Sequence, residues 1–119
     1  MTYQEVTSMI EGIGLPYAYY HFTKQTAQPP PFICFYFDRD DDFFADNTNY
    51  QKIANLTVEL YTETKDFTQE QAVETVLNGA GLAYGREETA IDSERLYLCV
   101  FTTTVYITEE ENNGNNEQS

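Results

Sequence analysis

Tryptophan is absent from the 119 residues, histidine occurs once and cysteine twice. A single His excludes the usual multi-His metal site, and any catalytic Cys–His pair would have to use His21. Basic residues are scarce as well: six Lys and Arg stand against 20 Asp and Glu, a formal net charge of −14. Such a surface repels phosphate, which argues against non-specific binding to DNA or RNA and against docking on anionic membranes. No apolar run approaches the ~20 residues of a transmembrane helix. The opening MTYQEVTSMIEG carries acids and no basic n-region, so no signal peptide is expected and the expected compartment is the cytoplasm.

What remains is a chain able to bury a core, 41% hydrophobic and 15% aromatic, of a size for one domain. Cys34 and Cys99 lie inside the apolar runs FICFYF and YLCVF. In a reducing compartment they are expected to be two buried thiols rather than a disulfide.

Helix signals open the chain. Thr2 and Glu5 have the spacing of a capping box, and Met1 with Val6 that of a hydrophobic staple. Val6, Met9, Ile10 and Ile13 form one helical stripe, and Gly12, Gly14 and Pro16 end it. Residues 16–22 (PYAYYHF) read as a strand, followed by a polar connector ending in three prolines. Residues 32–37 (FICFYF) fit a strand covered on both faces. From Lys52 the alternation is clear, with Ala54, Leu56, Val58 and Leu60 on one face and Asn55, Thr57, Glu59 and Tyr61 on the other. A second helix is expected after Phe67, with Thr68 and Gln71 as its capping box, Val73, Val76, Leu77 and Ala80 as its stripe, and Asn78-Gly79 as its stop. Residues 82–91 and 95–107 read as a hairpin around Asp92-Ser93-Glu94. The sum is an α+β two-layer sandwich in the order α-β-β-β-α-β-β: a mostly antiparallel sheet of four or five strands with two helices on one face. Residues 1–107 are expected to form this single domain, and 108–119, acidic and Asn-rich, a disordered tail.

No pattern of residues points to catalysis, and the reading is of a protein that is no enzyme and needs no cofactor. Asp38, Asp40, Asp41 and Asp42 begin like an EF-hand loop, but the sixth position is Phe43 instead of Gly and the twelfth Asn49 instead of Glu. They read as a solvated acidic loop or a subunit contact. His21 reads as one member of an aromatic sheet face, and Glu87, Glu88, Asp92 and Glu94 as solubilising charges around a turn. Ten Tyr and eight Phe exceed what so small a core encloses, and exposed aromatic patches mark contacts with other protein chains.

The opening helix, the run from Gly14 to Phe22, Pro29-Pro30-Pro31-Phe32 leading into an apolar strand, Phe43-Phe44-Ala45-Asp46-Asn47, and Val58-Glu59-Leu60-Tyr61-Thr62 follow one another along the chain. Together they resemble the tail terminators and tail-to-head joining proteins of Gram-positive phages and prophages. The resemblance implies a structural subunit that forms a hexameric ring capping the tail tube. Its implied partners are copies of itself, the major tail tube protein and a head-connector or stopper protein. Its implied location is the host cytoplasm during assembly and then the virion tail. On this reading Asp38, Asp40, Asp41 and Asp42, with Phe43 and Phe44, face the lumen or a neighbouring ring. The competing expectation is a small acidic DNA mimic that inhibits a host nucleic-acid enzyme.

Overall fold

In the computed structural model, which describes residues 1–38 and 51–108, the first helix, α1, runs over Tyr3–Glu11. Its start is the expected capping box: the Thr2 hydroxyl accepts from the Glu5 amide at 3.1 Å, and the Glu5 carboxylate accepts from the Thr2 amide at 2.9 Å. Val6 and Ile10 are fully buried, and Met1 packs against the same core, as a staple requires. Gly12 caps the helix in a right-handed conformation, and the left-handed exit falls to Gly14 at φ +92°.

The second helix, α2 (Phe67–Gly79), starts earlier than expected. Asp66 is its cap and accepts from the Gln69 amide at 3.1 Å, which puts Thr68 inside the first turn and leaves no Thr68–Gln71 box. An Asp at this position satisfies a free helix amide and adds a favourable charge at the positive end of the helix dipole. Val73 and Leu77 carry the stripe. Gly79 stays helical, and the left-handed residue is Gly81 at φ +76°.

Five strands follow the expected order: β1 Tyr17–Tyr19, β2 Phe32–Asp38, β3 Gln51–Thr62, β4 Tyr84–Ile91 and β5 Leu96–Thr108. They line up as β1-β2-β3-β5-β4, antiparallel throughout except that β1 runs parallel to β2. This is an α+β fold. Strand β1 is shorter than expected because Tyr20 turns out of it at φ +73°. Asp92–Glu94 forms the turn between β4 and β5 as a single 3-10 turn, with Arg95 left-handed behind it.

The register decides which residues meet. Leu60 lies opposite Ile33 and Cys99, Val58 opposite Phe35 and Phe101, and Leu56 opposite Phe37 and Thr103. These positions face the buried side chains of α1 and α2 in one cluster, so both helices cover the same face. A fully buried Leu, Ile, Val or Phe there contributes about 1.5–3 kcal/mol relative to leaving it exposed. The chain start is tied to the end of β5. The Met1 ammonium donates to the Tyr106 carbonyl at 3.0 Å, and the Thr108 amide donates to the Met1 carbonyl at 2.9 Å. Cys34 pairs with Glu59 while Cys99 pairs with Leu60, one position on. Because alternate residues point to opposite faces, the two thiols lie on opposite sides of the sheet, buried and free.

Candidate functional site: the outer face of the sheet

Both helices occupy one side, so the alternation in β2, β3 and β5 directs Phe32, Cys34 and Tyr36, Thr57, Glu59 and Tyr61, and Leu98, Val100 and Thr102 to the other. This outer face has two regions. Near the Asp38 end of β2 it is a hydroxyl surface of Thr57, Thr102 and Thr104, bordered by Asn55 and Asp38. Towards β1 it is aromatic. Phe22 meets Phe32 edge-on at 5.3 Å, and Phe32 stacks on Tyr61 at 4.9 Å with the planes 24° apart. Tyr20 stacks on Tyr36 at 5.0 Å and 21°. Most of these rings are half-buried, while Tyr20 is 61% exposed.

Glu59 stands between the two stacked pairs. Its carboxylate accepts from the Tyr61 hydroxyl at 2.9 Å and, more loosely, from the Tyr36 hydroxyl at 3.4 Å. Burial raises the pKa of both phenols above the usual tyrosine value, and the neighbouring Glu59 charge adds to it, so both stay protonated donors. The Cys34 thiol beneath them is pushed up to about 11 by burial and then by Glu59, which makes it a poor nucleophile. Among the described residues no Lys or Arg pairs with Glu59. A carboxylate takes about four hydrogen bonds, so these two hydroxyls leave acceptor capacity open. Tyr20 reaches its place over Tyr36 in the left-handed region, which for a bulky residue costs on the order of 1–3 kcal/mol. The Tyr20 amide, donating to the Phe35 carbonyl at 2.8 Å, holds that turn.

No protein-family model matches the chain, and no curated protein and no solved structure does either.

Of the residues singled out from the sequence, Asp38 ends β2, exposed and in register with Asn55. Asp40, Asp41, Asp42, Phe43 and Phe44 lie outside the described residues. His21 follows β1 instead of sitting in it: it is exposed, with its ring 5.8 Å from that of Tyr20. The alternation from Lys52 puts Glu59 and Tyr61 together on the face away from the apolar one, as found. It does not announce the stacks, because Tyr20 and Phe22 reach them through a turn and a connector.

A second constellation lies on the helix side, at the β4 edge. Glu70 of α2 is buried, its side chain 3% exposed, and its carboxylate accepts from Lys65 at 2.8 Å and from Arg86 of β4. Arg86 also reaches Glu74 and Glu88, both at 2.7 Å, and Lys65 reaches Glu88 at 2.9 Å. Glu88 is therefore no free solubilising charge. A hydrogen bond from Tyr97, then those from Lys65 and Arg86, hold its carboxyl down at about 2. The donor atoms of Glu70, Glu88 and Cys99 lie within 4.8 Å of one another, close enough for one metal ion. Two cations already occupy those carboxylates, and burial pushes the Cys99 thiol up to about 11, so the geometry fits an ionic clasp between α2 and β4 better than a metal centre. The available signal was Glu70 and Glu74 at i, i+4 on one helix and Arg86 and Glu88 at i, i+2 on one strand.

Proposed function

We propose that this chain is a structural subunit of a phage or prophage tail, of the terminator or tail-to-head joining kind, which assembles as a hexameric ring at the end of the tail tube. The observation that carries the reading is the aromatic outer face: among the described residues no helix covers that side of the sheet, and part of it is lined with half-buried rings. Exposed aromatic patches of this kind belong to protein–protein contacts. A head-to-tail ring needs two different surfaces on each subunit. The outer face offers one, and the eight-residue edge strand β4 offers a row of backbone groups for another. A net charge of −14 suits a ring through which DNA passes without adhering. In this reading the subunit does no chemistry, and its partners are its own copies, the tail tube protein and the head connector.

Light scattering behind size exclusion over a wide concentration range, with and without Mg²⁺, tests it together with binding to purified tail tubes. A discrete species of six chains, or a ring that forms on tube ends, is expected. A monomer at every concentration that also ignores tail tubes would overturn the reading and favour a monomeric acidic inhibitor. Charge reversal at Asp40, Asp41 and Asp42 is expected to leave folding intact and to impair assembly or DNA passage.

A further inference from the structure

We propose that the outer face holds a docking site for an arginine side chain of a partner protein, with Glu59 as the anion and the stacked pairs Tyr20–Tyr36 and Phe32–Tyr61 as its walls. The inference rests on the outer face being an interaction surface and does not depend on the tail assignment.

Charge complementarity selects this occupant. Glu59 is a half-buried carboxylate in the middle of an aromatic field, held by two phenol donors and paired with no cation among the described residues. The cations whose side chains the structure describes lie elsewhere. Lys65 and Arg86 are engaged on the helix side, Arg95 sits in the turn between β4 and β5, and Lys24 in the connector between β1 and β2. A partner cation arriving at Glu59 meets open lone pairs of its carboxylate and ring faces beside it.

The surroundings favour arginine over lysine. A guanidinium is planar, weakly hydrated and able to fork two donors onto one carboxylate while stacking on an aromatic face. An ammonium is a compact, strongly hydrated charge that loses more on entering a ring-lined site. The walls are set before anything binds. Tyr36 is braced by Tyr20, whose φ of +73° fixes the ring over it, and Tyr61 is braced by Phe32, which Phe22 supports in turn. Walls that are already ordered save the partner the entropy of arranging them. At a net charge of −14 the chain also draws a basic segment towards it from a distance.

The test uses the full chain with tyrosine rings labelled for NMR, titrated with the peptide acetyl-Gly-Arg-Gly-amide at low ionic strength. The isosteric acetyl-Gly-citrulline-Gly-amide, which lacks the charge, is the control. Saturable shifts at Tyr20, Tyr36 and Tyr61 with the arginine peptide alone are expected. Glu59→Gln keeps the shape and one acceptor oxygen for the Tyr61 hydroxyl, sets an amide donor against the Tyr36 hydroxyl, which can turn to accept it, and is expected to weaken binding about tenfold. Tyr20→Ala, at an exposed ring whose loss does not open the core, is expected to weaken it severalfold, and it serves should Glu59→Gln fail to fold. Equal shifts with the citrulline peptide, or unchanged affinity in both variants, would overturn the proposal. Shifts at these rings that follow protein concentration instead of peptide would assign the face to a second copy and overturn it too. The titration needs neither a ring nor a tail tube, so its failure is distinguishable from failure of the tail assignment.

Discussion

Arg86→Met isolates the clasp between α2 and β4. Methionine keeps a flexible stem of similar reach over Phe101, whose ring centre lies 5.8 Å from the guanidinium, so little packing is lost. What disappears is one positive charge shared by Glu70, Glu74 and Glu88. Three carboxylates are then left with Lys65 as their remaining cation in the cluster. Removing one partner of a fully buried pair costs about 3–5 kcal/mol. Arg86 is 27% exposed and Lys65 still holds Glu70, so the expected loss is smaller, about 2–3 kcal/mol at neutral pH. With no Trp in the chain, urea unfolding followed by far-UV circular dichroism is the assay. The pH dependence has a definite sign. In the parent, the Glu88 carboxyl is held at about 2. That lies below the unfolded value of about 4.3, so its contribution is present above about pH 4.3 and is lost as pH falls towards 2. In the variant, protonation relieves repulsion among carboxylates that have lost a cation. Both effects shrink the difference between the two proteins as pH falls. A difference below about 0.5 kcal/mol at pH 7, or one equally large at pH 3, would refute the clasp.

Two further predictions concern single residues. Gly81→Ala, at φ +76°, is expected to destabilise by about 1–2 kcal/mol, whereas Gly79→Ala, helical and with open space around the added methyl, is expected to be neutral or stabilising by up to about 1 kcal/mol; thermal unfolding of the two variants reads the contrast, and equal effects would contradict the helix exit described. Cys34 and Cys99, both pushed up to about 11, are expected to react with Ellman's reagent at about pH 8 far more slowly in the folded chain than in urea, and a thiol that reacts at once would contradict their burial.

The parts of the fold legible in the sequence are those whose causes are local. The capping box at Thr2 and Glu5 needs only a spacing of three, and the alternation through β3 needs only one buried face, so both are found as expected. The start of α2 differs from expectation because Asp66 and Thr68 are both N-cap residue types two positions apart, and Asp66 is the one whose carboxylate takes the free helix amide of Gln69. The clasp itself joins residues from two elements whose adjacency only the register of β4 on β5 creates. The outer-face stacks are equally non-local. Phe22 precedes the proline connector and Phe32 follows it, while Tyr20 depends on a left-handed turn that no residue type in that stretch announces.

The two sides of the sheet treat their buried acids differently, and that difference bears on function. On the helix side Glu70 is almost wholly enclosed, and two of only six basic residues neutralise it within the chain. On the outer side Glu59 is half-buried among rings and, among the described residues, receives hydroxyl donors and no cation. A desolvated carboxylate without a cation costs an isolated domain stability, and an apolar residue would pack against Val100 and Cys34 without that cost. Stability of the lone subunit therefore gives no reason for an acid at position 59. Binding does, because the same carboxylate becomes favourable when a cation covers it and the flanking rings exclude water. The sheet thus carries one ionic site that closes on itself and one that a second molecule completes.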